Sequence, residues 1–173
     1  MAETIPEVIA PTSLADYLEV IARAVFQAGV AWRQIAAQWE SYRQAFSSFD
    51  PVQVAAYDEI EIERVLQTRG ILRAPRKVRA TVANAATLLA LEREYGQFIN
   101  YLRAFASYDE LAKDFKRRFA LIGEMSVWYV LFRTGEAVPP FESWVATIRG
   151  DHPRMREMVE LARREGRSPE RLG

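Results

Sequence analysis

The chain has no cysteine and only one histidine, His152, in 173 residues. Without cysteine it has neither a disulfide framework nor a thiolate metal site, and one histidine plus carboxylates does not make a zinc ligand set. The same shortage leaves no partner for a nucleophilic triad, and the few glycines form no phosphate-binding loop. No cofactor and no metal are therefore expected. Long apolar runs are missing too. The longest, such as Val127 to Phe132, fall far short of a membrane span, and the N-terminus lacks the basic region and apolar core of a signal peptide. A soluble, cytoplasmic protein without membrane contacts is expected. An excess of either charge is also absent, since 23 basic residues balance 23 acidic ones. Attraction to a polyanion has to come from where the charges lie.

Half of the residues are hydrophobic, enough for one well-filled core. Strand alternation never persists, whereas helix signals recur, so the expected fold is all-α. Residues 1–12, with Pro6 and Pro11, read as an extended leader. Ser13 and Asp16 have capping-box spacing ahead of a helix that Gly29 ends. Trp32, Ile35, Trp39, Tyr42 and Phe46 form the apolar stripe of one further helix. Asp50-Pro51 and Asp58 with Glu61 mark two short helices, and Pro75 opens a long one that Gly96 stops. Ser107 with Glu110 caps the next helix. Residues 13–150 are expected to form one helical domain, followed by a charged C-terminal segment, 151–173. That segment holds a helix from about Pro153 to Glu165, with a fraying end.

Leu111 to Gly135 reads as helix, tight glycine turn, helix. At the start of the second helix the backbone N–H groups are unpaired and can bind a phosphate, and Gly123 keeps that surface open. Lys113, Lys116, Arg117 and Arg118 precede this hairpin. Arg69, Arg73, Arg76, Lys77 and Arg79 form a second basic cluster with no acid among residues 69–79. Either cluster can be a solvated helix face or a phosphate-binding surface.

The stretch from Gln27 to Ala86, QAGVAWRQIAAQWESYRQAFSSFDPVQVAAYDEIEIERVLQTRGILRAPRKVRATVANAA, closely resembles the core of the 3-methyladenine DNA glycosylase I family, and the likeness extends over about residues 14–136. That family belongs to the helix-hairpin-helix glycosylases, and like this chain it keeps only the second glycine of the hairpin turn, with Leu121 at the first. The resemblance implies a helix-hairpin-helix glycosylase fold and hydrolysis of the N-glycosidic bond of alkylated purines, acting as a monomer on double-stranded DNA. Trp32 matches the family's pocket tryptophan and is expected to stack on a flipped base; otherwise it is a core aromatic. Gln27 and Tyr17 are expected to line the same pocket. The family's pocket glutamate, which accepts hydrogen bonds from a methylated adenine, aligns with Ala24, and its zinc ligands have no counterparts.

The wider superfamily places a catalytic aspartate after the second hairpin helix. Here that text is Val138-Pro139-Pro140-Phe141-Glu142-Ser143-Trp144, which makes Glu142 the candidate for electrostatic support of the reaction, or else an exposed helix-start residue. Glu19 is a weaker substitute. The superfamily's strand-cleaving lysine has no equivalent among Glu124, Met125 and Ser126, so the implied enzyme is monofunctional. Arg69, Arg73, Arg76, Lys77, Lys116, Arg118 and Gly123 are the implied backbone contacts. A catalytically silent DNA- or damaged-base-binding relative, or a protein-interaction module on the same fold, remains open as an alternative.

Overall fold

Mostly short helices connected by turns make up the chain. The computed structural model describes residues 5–171, and the helices are α1 (Leu14–Gln27), α2 (Trp32–Ala37), α3 (Trp39–Ala45), α4 (Pro51–Ala55), α5 (Glu59–Gln67), α6 (Pro75–Tyr95), α7 (Phe98–Leu102), α8 (Tyr108–Arg118), α9 (Glu124–Arg133), α10 (Phe141–Val145) and α11 (Pro153–Arg164). A 3-10 turn at Ser47–Phe49 separates α3 from α4. Among the described residues the only pairing outside helices is an isolated parallel bridge, Val138 with Glu170. The Asp50 carboxylate accepts from the Val52 and Gln53 N–H groups, Asp58 from Glu61 and the Ser107 hydroxyl from Glu110, so three of the caps read from sequence form.

Two local expectations are corrected. Ser13 makes no side-chain cap; Asp16 instead accepts the N–H of Thr12 at 2.8 Å, which holds the turn before α1. The single helix expected over Trp32 to Phe46 breaks at Gln38 (φ −112°, ψ 9°). The break lets Trp39 turn inward. There it stacks on Tyr42 (5.0 Å) and Phe49 (5.4 Å), and its Nε1–H donates to Glu19 at 2.8 Å. Packing of an aromatic tier outweighs one lost helical turn.

The long helix α6 lies at the centre, against α1, α4, α5 and α7, while α9 packs on both α1 and α8. Val127 to Phe132 are all buried, so α9 runs through the core. Trp128 stacks on Phe132 (4.8 Å) and Trp144 (4.9 Å), tying α10 to that helix. The C-terminal segment is fastened rather than frayed through Arg171. Arg163 makes a bidentate pair with Glu170, Glu170 accepts the Phe141 N–H at 2.8 Å, and Arg167 donates to the Val8 carbonyl at 3.1 Å. Val8 is buried and Ile9 donates to the Arg133 carbonyl, so the extended leader, where described, packs against the end of α9. Leu172 and Gly173 at the tail's tip, and residues 1–4 of the leader, lie outside the described residues.

Candidate nucleic-acid site and base-sized cavity

Gly29, with φ +74°, ends α1 and reverses the chain, so that Val30 donates back to the Gln27 carbonyl at 3.0 Å. This turn returns Trp32, the first residue of α2, over the last turn of α1. Its indole meets the edge of Tyr129 from α9 at 5.5 Å and 73°. Beside this pair opens a cavity of about 400 Å³ lined by Ala24, Gln27, Ala28, Gly29, Val30, Trp32, Met125, Ser126, Tyr129, His152 and Met155. Its walls come from α1, α2, the first two turns of α9 and the start of α11.

Among the described residues no Asp, Glu, Lys or Arg lines the cavity. Gln27 is 4 % exposed, and its Oε1 accepts from Arg23 Nε at 3.1 Å. Arg23 also sits 5.0 Å over the Trp39 ring, and burial pulls its pKa below the usual arginine value. Arg133 donates to the Tyr129 hydroxyl at 3.3 Å. The cavity is thus aromatic and neutral, with two cations behind its lining.

Three of the four residues expected at a base pocket meet here: Trp32, Gln27 and Ala24. Tyr17 does not. It lies two turns or more up α1, buried with its ring edge-on to Phe98 at 4.9 Å, and burial, then the nearby Glu136, raise its pKa. Glu142 is outside the lining as well. Both of its carboxylate oxygens accept from Arg163, at 3.0 and 2.7 Å, and those hydrogen bonds hold its pKa below the usual range. Glu19 is occupied by Trp39 and by Arg43 at 2.6 Å. Sequence reasoning missed Met125, Ser126, Tyr129, His152 and Met155. The spacing of Met125 and Tyr129, one helical turn apart just after the hairpin glycine, is the signal that could have found the α9 wall. His152 stood out in the sequence only as the single histidine, set against a zinc site.

The expected backbone contacts divide by environment. Arg69 and Arg76 are exposed and make no side-chain hydrogen bond among the described residues, and Arg73 is exposed and donates to Gln67 at 2.7 Å. Lys77 instead donates to the Phe26 and Ala28 carbonyls at 3.0 and 2.8 Å, capping the end of α1, and burial lowers its pKa. Arg118 is held by Asp114 at 2.8 Å, and Lys116 pairs with Glu124. Gly123 precedes α9 with an ordinary φ of −104°, no side-chain cap and open space around its Cα. The left-handed residue of the hairpin turn is Leu121, at φ +55° and 39 % exposed. A shallow depression lined by Val25, Ala28, Ala74, Pro75, Arg76, Lys77 and Leu121 joins this turn to the basic stretch. Ala28 lines both hollows, so basic stretch, hairpin turn and cavity lie side by side.

Among the described residues no helix is long and apolar enough to cross a membrane, and no group of three or more His, Asp or Glu could hold a metal ion.

Comparison with known proteins converges on one family. The model of the methyladenine glycosylase family matches residues 12–129. The chain is 37 % identical over 82 residues to DNA-3-methyladenine glycosylase 1 of Escherichia coli K12, covering 47 % of this chain and 44 % of that protein. It is 33 % identical over 88 residues to the DNA-3-methyladenine glycosylase of Haemophilus influenzae, covering 51 % and 48 %. The matches therefore span a little under half the length of these curated relatives. In fold it is similar to 3-methyladenine DNA glycosylase I of Staphylococcus aureus, with a TM-score of 0.67 at 24 % identity over 75 % of this chain and 80 % of that one.

Proposed function

The chain belongs to the methyladenine glycosylase family, and from that premise we propose that it is a monofunctional DNA glycosylase that hydrolyses the N-glycosidic bond of alkylated purines such as 3-methyladenine in duplex DNA. The observation that carries this reading is the cavity of about 400 Å³ walled by Trp32 and Tyr129 beside the hairpin. It is large enough for one base, and it adjoins the hairpin turn and the exposed Arg76. The names of the curated relatives supply the lesion.

The chemistry suits a pocket without a carboxylate. A purine methylated at a ring nitrogen is cationic before it leaves, so breaking the bond between C1′ and the base releases a neutral molecule and needs no proton donor. Water then adds to C1′ and loses a proton to solvent. Flipping costs a few kcal/mol in lost stacking and pairing, and stacking on Trp32 returns about 1–3 kcal/mol. The exposed Arg69, Arg73 and Arg76, with the free N–H groups after Gly123, are the proposed backbone contacts. Lys77, Lys116 and Arg118 are engaged within the protein and act on DNA only if those pairs open. Glu142 and Tyr17 stand apart from the cavity and are assigned to holding the fold. We take the active species to be a monomer.

Release of free 3-methyladenine from methylated duplex DNA, followed chromatographically, tests the proposal. Wild type is expected to release the base, and Trp32→Ala to lose roughly 10–100-fold in rate, the worth of one stacked base. The missing cavity carboxylate favours one second reading, a silent relative that holds a damaged base without cutting. Salt-sensitive duplex binding with no base release above a buffer control would establish that reading and exclude the first.

A further inference from the structure

We infer that His152 is the hydrogen-bond acceptor that reads the exocyclic amine of an adenine-type base in the cavity, opposite in role to the donor Gln27. The inference rests on reading that cavity as a base pocket.

Three of the polar side chains that line the cavity, Gln27, Trp32 and Tyr129, carry hydrogen-bond donors. Gln27 Oε1 faces Arg23 Nε, a donor, which assigns the amide orientation and leaves the Gln27 Nε2 hydrogens without a protein partner on a side chain that is 4 % exposed. The Trp32 indole N–H only donates. The Tyr129 oxygen accepts from Arg133 and its own hydrogen has no acceptor among the described residues, so the hydroxyl can donate into the cavity. An amino-purine needs the reverse at one position: its ring nitrogens accept, but its amino group donates.

His152 meets that need. Its Nε2 lies 2.9 Å from the Arg149 carbonyl oxygen, which can only accept, so Nε2 carries the hydrogen. In the neutral ring Nδ1 then keeps its lone pair. The ring is fixed at the N-cap of α11, directly before Pro153, and lines the cavity with Met155 one turn on. Residue 24 is alanine and supplies no acceptor. His152 lies in the C-terminal segment, beyond residues 12–129 that the family model matches. Donor and acceptor together favour a base with an amino group at C6 over one with an oxo or a hydrogen there.

Ser126 is a competing side-chain acceptor, because its residue also lines the cavity and its hydroxyl can turn either way. The test is equilibrium binding of two free bases to the full chain by titration calorimetry: 3-methyladenine, and 3-methylpurine, which has hydrogen in place of the amine. Wild type is expected to prefer 3-methyladenine by about tenfold, the worth of one hydrogen bond. His152→Ala should bring that ratio close to one. His152→Asn, whose amide oxygen can take the place of Nδ1, and Ser126→Ala should both keep it. The ratio is internal to each variant, so partial unfolding does not distort it. An unchanged ratio in His152→Ala, or a ratio lost in Ser126→Ala instead, overturns the inference. Equal binding of both bases by wild type does so too, leaving the base pocket standing. Binding of neither base by wild type overturns the pocket reading itself, and this inference with it.

Discussion

Arg76 and Lys77 are adjacent cations in different surroundings. Arg76 is exposed and makes no side-chain hydrogen bond among the described residues, whereas the Lys77 amine donates to the carbonyls of Phe26 and Ala28 at the end of α1, where the helix dipole is negative. Arg76→Ala should therefore reduce the log–log salt slope of duplex binding by about 0.9 without changing thermal stability. Lys77→Ala should leave that slope alone and cost about 1–2 kcal/mol, which for a chain of this size is a fall in Tm of about 2–8 °C. Measured binding isotherms at several salt concentrations, beside melting curves, separate the two. Sequence alone grouped these residues as one basic stripe, because the carbonyls that claim Lys77 belong to residues about fifty positions away. Glu142 illustrates the same limit. Its place after the hairpin was legible, but its partner Arg163 was not, since only the folded C-terminal segment brings them together. Glu142→Gln should leave base release within about threefold of wild type and cost no more than about 1 kcal/mol, the usual worth of an exposed pair. A loss of a hundredfold or more would return Glu142 to the reaction.

At the scale of elements, the hairpin shows which features a sequence can specify. Its two helices, the Ser107 cap and the exposed start of α9 all follow from local chemistry: a capping residue, a basic last turn, a glycine with open space. The break at Gln38 does not, because its cause is the packing of Trp39 on Tyr42 and Phe49 together with its hydrogen bond to Glu19, which α1 brings from twenty residues upstream. The cavity is divided likewise. Trp32, Gln27 and Ala24 sit within one short stretch and were legible from it, while the α9 and α11 walls arrive from the far end of the chain. Glu124, at the start of α9, opposes anion binding there, and its pairing with Lys116 masks both charges. Glu124→Gln should free Lys116 and remove a negative charge from the start of α9. Duplex affinity at low salt is expected to rise severalfold with a steeper salt slope. Unchanged affinity would mean that the N-terminus of α9 does not meet the DNA backbone.

For the whole molecule, the decisive arrangement is that both ends of the described chain close around α9 and α10. Val8 and Ile9 lie along the end of α9, and Arg167 ties them to the C-terminal segment. Glu170 anchors that segment by accepting from Arg163, the Phe141 N–H and Ser168. Since α11 supplies His152 and Met155 to the cavity, this anchor also holds one wall of the site in place. Its dependence on pH has a definite sign. Burial alone raises the Glu170 pKa, but the Arg163, Phe141 and Ser168 hydrogen bonds outweigh it and leave the carboxyl below its ordinary value of 4.5. A carboxyl with a depressed folded-state pKa adds its full stability above the unfolded value, and loses it as the pH falls through the folded one. Glu170→Gln keeps an acceptor for Phe141 but gives up the charge, and should cost about 1–2 kcal/mol at neutral pH. The gap in Tm between wild type and this variant should hold from pH 7 to about 5, then shrink steadily below 4.5 as wild type itself becomes protonated. A gap that stays constant down to pH 3 would mean that Glu170 contributes through shape rather than charge. Base binding by Glu170→Gln should weaken alongside the loss of stability, because a loosened α11 no longer presents His152 to the cavity.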